Sequence, residues 1–156
     1  MASMTAVESV KLTSELVPDQ ARWPKGLVIG TAAQGVVGRI QGLSLASQER
    51  VLNETSEILK KCLSPGLEEG RRTGLVIGYV QSGKTLSFTT LAAMARDNGY
   101  QLVIVLAGTT TNLVDQSADR LKTDLNIGRT RDWRLIRQPR EDILADYQRL
   151  EIALSK

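Results

Sequence analysis

Eight consecutive residues carry most of the chemistry this sequence offers. Gly78, Tyr79, Val80, Gln81, Ser82, Gly83, Lys84 and Thr85 satisfy G-x-x-x-x-G-K-[ST] at every fixed position. Gly78 and Gly83 let the backbone turn tightly, so that the N–H groups of the loop, including Val80, Gln81 and Ser82, converge on phosphate oxygens. Lys84 supplies a mobile ammonium for the β- and γ-phosphates and is the candidate catalytic residue. Thr85 offers a hydroxyl ligand to Mg²⁺. The motif should open a helix, whose N-terminal dipole and unpaired N–H groups favour an anion. At ordinary residue frequencies a chance match over this length has a probability of roughly 0.5%, so the motif is informative. The expected ligand is a nucleoside triphosphate, ATP, held with Mg²⁺.

The elements that must position this loop follow from the pattern around it. Leu75, Val76 and Ile77 form an apolar run that predicts a buried strand before the loop, and residues 84–97 predict a helix after it, closed by Asn98 and Gly99. Residues 100–107, YQLVIVLA, predict a second strand buried on both faces, as in a parallel sheet. A third helix is expected from Thr111 or Asn112 to about residue 124, then a strand at 133–136 and a last helix over 142–154. Ahead of the loop, residues 44–63 read as a helix capped by Ser44 or Ser47 and stopped by Ser64, Pro65 and Gly66. Residues 1–43 read as a loosely organised leading segment. Within it Gly26-Leu27-Val28-Ile29-Gly30 repeats Gly74-Leu75-Val76-Ile77-Gly78 residue for residue. Val36 and Val37 stand where a second phosphate loop would need lysine and a hydroxyl, so residues 26–42 read as a glycine-rich strand or loop. Alternating strands and helices in this order predict an α/β fold, a P-loop (RecA-like) parallel sheet with flanking helices over residues 44–156.

In such a sheet ligands meet the carboxyl ends of the strands, which puts the segment after the second strand at the same edge as the phosphate loop. Thr109, Thr110, Thr111 and Asn112 offer hydroxyls and a helix N-terminus suited to the phosphates of a nucleic-acid backbone. Gln116 and Arg120, one turn apart, extend that candidate surface along the third helix. This edge is expected to lie beside the phosphate loop without touching it. A threonine-rich cap serving only its own helix, and a surface ion pair of Arg120 with Asp115 or Asp124, are the plainer alternatives. Arg129, Arg131, Arg134, Arg137 and Arg140 form a basic run that reads first as a solvated surface and second as a lid over phosphate.

Composition excludes several classes. The chain has 156 residues, 20 basic and 17 acidic side chains and a net charge of +3, which permits nucleic-acid contact without arguing for it. A single cysteine, Cys62, rules out an internal disulfide, and the absence of histidine argues against a zinc site. Cys62 reads as a small core residue. No apolar run has the length of a membrane span and no signal-peptide pattern opens the chain, so a cytoplasmic setting is expected.

The run GLVIGYVQSGKT, a helix, then NGYQLVIVLAGTTTNLVDQSADRL resembles the endonuclease-domain family labelled Z-one and, more distantly, the first RecA-like domain of superfamily-two helicases. Val80 to Thr85 matches that family's V-Q-S-G-K-T. Gly99, Tyr100, Leu102, Ile104 and the residues from Val105 to Gly108 match its G-Y-x-L-I-I-V-L-A-G. Asn112, Gln116 and Arg120 meet its N-x-L-R-x-Q-T-x-x-R with altered spacing. Thr111 stands where the helicase pattern P-T-R-E-L-A-x-Q has arginine. The resemblance covers roughly residues 44–142. It implies an ATP-dependent module of a restriction or defence system acting on DNA, with a nuclease or target-recognition subunit as partner. No D-E-x-H or other acidic motif ends a later apolar strand, and Asp142 and Asp146 are the nearest carboxylates. The chain therefore reads as the N-terminal part of such a domain, binding nucleotide better than it hydrolyses it. A nucleotide-sensing or assembly module without translocation is the alternative, and a small-molecule kinase the third reading.

Overall fold

The computed structural model describes residues 23–66, 70, 72–76, 84–108, 110–130, 133–137, 139 and 142–154. Five helices run through them: α1 (Thr31–Gly38), α2 (Leu45–Lys60), α3 (Lys84–Asp97), α4 (Thr111–Asp124) and α5 (Leu144–Leu154). Helix α3 is the hub and packs against both α1 and α2, which also touch each other. Its second half presents Ala92, Ala93, Met94 and Ala95, all buried, and the small side chains let α1 approach through Ala33, Val36 and Val37. Leu59 of α2 and Leu121 and Leu125 at the end of α4 complete the core.

The parallel-sheet P-loop fold expected from the sequence is not what the chain forms. Among the described residues there is no strand, and the isolated bridge between Ile127 and Thr130 joins none. A strand of a parallel sheet is covered on both faces. Here Leu102 is 44% exposed, Ile104 74% and Leu106 94%, while Leu75 and Val76 before the phosphate loop stand at 85% and 62%. Residues 133–137, which include the third expected strand, likewise enter no ladder. β-Branched apolar runs favour extended backbone only when neighbours supply ladder hydrogen bonds and packing. In this chain the burial goes to helices instead.

A second correction falls in residues 26–42, where the glycine spacing suggests a strand or loop and the structure has α1. Residues outside that segment explain it. The Asp97 carboxylate accepts the Ala32 N–H at 3.1 Å through Oδ1 and the Ala33 N–H at 2.9 Å through Oδ2, capping α1 from 64–65 residues away. Asn98 beside it satisfies both backbone groups of Val28, accepting its N–H at 2.8 Å and donating to its carbonyl at 2.7 Å. Gly30 is required for this approach, since a Cβ there would lie 2.5 Å from Asp97 Cγ. Removal of the cap in Asp97→Ala should cost about 1–2 kcal/mol of stability. Urea unfolding is the check, and an unchanged midpoint would mean that α1 needs no cap from α3.

Helix boundaries elsewhere follow ordinary end chemistry. Ser44 caps α2 by accepting the Ser47 N–H at 3.2 Å. Helix α3 closes in a Schellman turn, with Gly99 N–H donating to Arg96 O, Tyr100 N–H to Ala95 O, and Gly99 at φ +91°. Helix α4 ends the same way, with Asn126 at φ +56° in the glycine position. At the end of α2, the Trp23 indole donates to Lys60 O at 3.2 Å and the Tyr100 hydroxyl donates to Leu63 O. Aromatic residues from two distant segments thus satisfy carbonyls at and just beyond the end of α2.

Candidate functional site

Helix α3 begins at Lys84, so the last two residues of the G-x-x-x-x-G-K-[ST] motif form the first positions of a 14-residue helix. Gly78, Val80, Gln81, Ser82 and Gly83 lie outside the described residues, as does Thr109. Thr85 is half-buried, and its carbonyl accepts the Thr89 hydroxyl at 2.8 Å, which ties down the first turn. Thr89 is itself completely buried. The Thr85 hydroxyl is therefore carried on a rigid helix end rather than on a loop.

The second candidate segment meets the first at one atom pair. Arg120 Nη1 donates to Thr85 Oγ1 at 3.1 Å, across 35 residues of sequence. The expectation that the α4 surface lies beside the phosphate loop without touching it is thus corrected. The plainer surface pairing does not form either, because Asp115 is engaged elsewhere. Arg137 spans Asp115 at 3.2 Å and Asp119 at 2.7 Å, one turn apart on α4. That fork uses the neighbouring row of α4 and leaves the row of Gln116 and Arg120, both exposed, turned toward the start of α3. Arg137 thereby acts as a surface ion-pair residue, as the solvated reading of the arginine run expects; exposed pairs of this kind are worth about 0–1 kcal/mol.

Thr110, Thr111 and Asn112 open α4 and are exposed. The N-cap is Thr110, not Thr111 or Asn112, and its side chain makes no capping hydrogen bond. The hydroxyls of this segment are thus not consumed by a cap at Thr110. Asp146 lies in the first turn of α5 with Arg149 at 3.5 Å, in the helical setting expected of it.

The chemistry available to the site follows from its atoms. A threonine hydroxyl is a hard oxygen donor of the kind Mg²⁺ prefers, and nucleotide phosphates and water can supply the remaining ligands. Thr85 therefore fits a cation held mainly by substrate. Bound there, Mg²⁺ would neutralise the charge of the phosphates. Elsewhere, burial pushes the Cys62 thiol above its ordinary value and its Sγ faces Ile58 O at 3.7 Å, so it is a packing residue and no nucleophile.

One feature escaped sequence reasoning. A cleft of about 210 Å³ is lined by Thr31, Ala32, Arg39, Arg96, Leu125, Asn126, Thr130 and Trp133. Arg96 lies over the Trp133 ring at 5.8 Å, and Arg39 donates to Asp124 O at 2.6 Å. The Arg39 bond joins α1 to the end of α4, and nothing in the local pattern of either helix signals it. No helix among the described residues is long and apolar enough to cross a membrane. Comparison of the chain with protein-family models, with curated proteins and with solved structures finds no match.

Proposed function

We propose that this protein binds Mg²⁺-ATP through residues 78–85 and the N-terminus of α3, as the nucleotide-binding part of a helicase-like, DNA-dependent ATPase of a cytoplasmic restriction or defence system. The observation that carries the reading is the junction itself: the complete motif runs directly into a 14-residue helix beginning at Lys84. Phosphate recognition of this kind is local. It draws on converging backbone N–H groups, one lysine and a helix N-terminus, and it makes no demand on a sheet behind them. The DNA and defence parts of the proposal rest on the Z-one resemblance, with Thr109, Thr110, Thr111, Asn112, Gln116 and Arg120 as the DNA-facing set and a nuclease or target-recognition subunit as partner.

The contact of Arg120 with Thr85 favours a second reading, in which the chain reports nucleotide state to a partner. In both readings the phosphates supply the recognition. ATP and ADP should therefore bind in a Mg²⁺-dependent manner, and adenosine should bind at least tenfold more weakly, a loss of about 1.4 kcal/mol or more. Isothermal titration of the three ligands checks this. Equal affinity for adenosine and ATP would remove the phosphate loop from the account.

A further inference from the structure

A guanidinium group hydrogen-bonded to the one side-chain oxygen that the motif reserves for a divalent cation is an unexpected arrangement. Arg120 Nη1 lies 3.1 Å from Thr85 Oγ1. A hydroxyl can accept two hydrogen bonds, but a guanidinium and Mg²⁺ gathered at one oxygen repel each other. Thr85 is held in place by α3, because Thr89 bonds its carbonyl at 2.8 Å. The partner able to move is therefore Arg120, a long, exposed side chain on α4. The carboxylates one turn up α4 on the adjoining row, Asp115 and Asp119, are held by Arg137, so they do not draw Arg120 away from Thr85.

We propose that Arg120 is a latch on the nucleotide site: it holds the Thr85 hydroxyl in the magnesium-free state and must release it for Mg²⁺-nucleotide to bind. The proposal rests on the phosphate-loop reading and adds a regulatory element to it. Its consequence is that α4 senses the loaded state, since loading frees a cationic side chain on the row that also carries Gln116. An anion, such as a phosphate of a nucleic-acid backbone, can then compete for the freed guanidinium. Nucleotide and anion would favour each other's binding by the same factor in both directions.

The test is a Mg²⁺ titration at fixed ADP on wild type, Arg120→Ala and Arg120→Gln, with Lys84→Ala alongside. Arg120→Ala should reach half-saturation at about three- to tenfold lower Mg²⁺, the worth of one exposed hydrogen bond that no longer has to break. Arg120→Gln, which can still donate a hydrogen bond but carries no charge, should fall between the two. Affinity for ADP without Mg²⁺ should move less than twofold in either variant. Arg120 is exposed, so both variants should fold, and circular dichroism of each checks it. An unchanged or raised Mg²⁺ midpoint in Arg120→Ala overturns the latch, and if Lys84→Ala is still weakened, the phosphate-loop reading survives. If Lys84→Ala binds ADP as wild type does, that reading fails and the latch falls with it.

Discussion

Met94→Ala is expected to lower the free energy of unfolding by about 2–5 kcal/mol. Met94 is completely buried and belongs to the core cluster with Trp23, Val36, Leu59 and Leu121. It sits on α3, the helix that packs against both α1 and α2. Truncation to alanine removes three heavy atoms from the place where the helices converge, and a cavity remains because relaxation from every side at once is limited. Domains of this size have about 5–15 kcal/mol of stability in all, so the loss is a large share of it. The same helix carries Thr85 at its other end. Nucleotide affinity should therefore fall in proportion to the folded fraction and no further at temperatures where the variant stays folded. Chemical denaturation monitored by circular dichroism measures the effect. A change below about 1 kcal/mol, the range of an exposed position, would mean that α3 is not the hub of the fold.

The helices were legible in the sequence, and the sheet was misread, for one physical reason. Helix signals are local. Ser44 before α2, Asn98-Gly99 after α3 and Asn126 after α4 are end chemistries that need only nearby residues, and each stands where the sequence places it. A strand is defined by a partner that may lie anywhere in the chain. The run Leu102 to Leu106 has the composition of a buried strand, yet it is exposed and enters no ladder. Composition reported a preference of the backbone and could not report whether a partner takes it up. Helix α1 failed in the opposite direction. Gly30, Gly35 and Gly38 made residues 31–38 a poor helix on propensity, and the carboxylate that caps them comes from Asp97.

The candidate site divides along the same line. That residues 78–85 should run into a helix at Lys84 was readable, because the motif states its own context. That Arg120 should reach Thr85 was not. Its spacing from Gln116 predicted one face of a helix, and only packing could bring that face to the start of α3. Arg137 illustrates the remainder: its fork onto Asp115 and Asp119 resolves one member of an ambiguous basic run into a surface ion pair.

The most direct measurement is calorimetric titration of Mg²⁺-ATP into wild type and Lys84→Ala. The central claim assigns phosphate recognition to a motif whose lysine starts α3. A lysine that contacts β- and γ-phosphates makes a charge-assisted hydrogen bond worth about 1.5–3 kcal/mol, so the variant should bind roughly tenfold to 150-fold more weakly. Lys84→Arg should recover only part of the loss, since a planar fork does not reproduce a compact ammonium. Matched melting curves would show that the variants differ in binding and not in folding. The account predicts micromolar or tighter binding by wild type and that loss in Lys84→Ala; equal ATP affinity in the two proteins would contradict it.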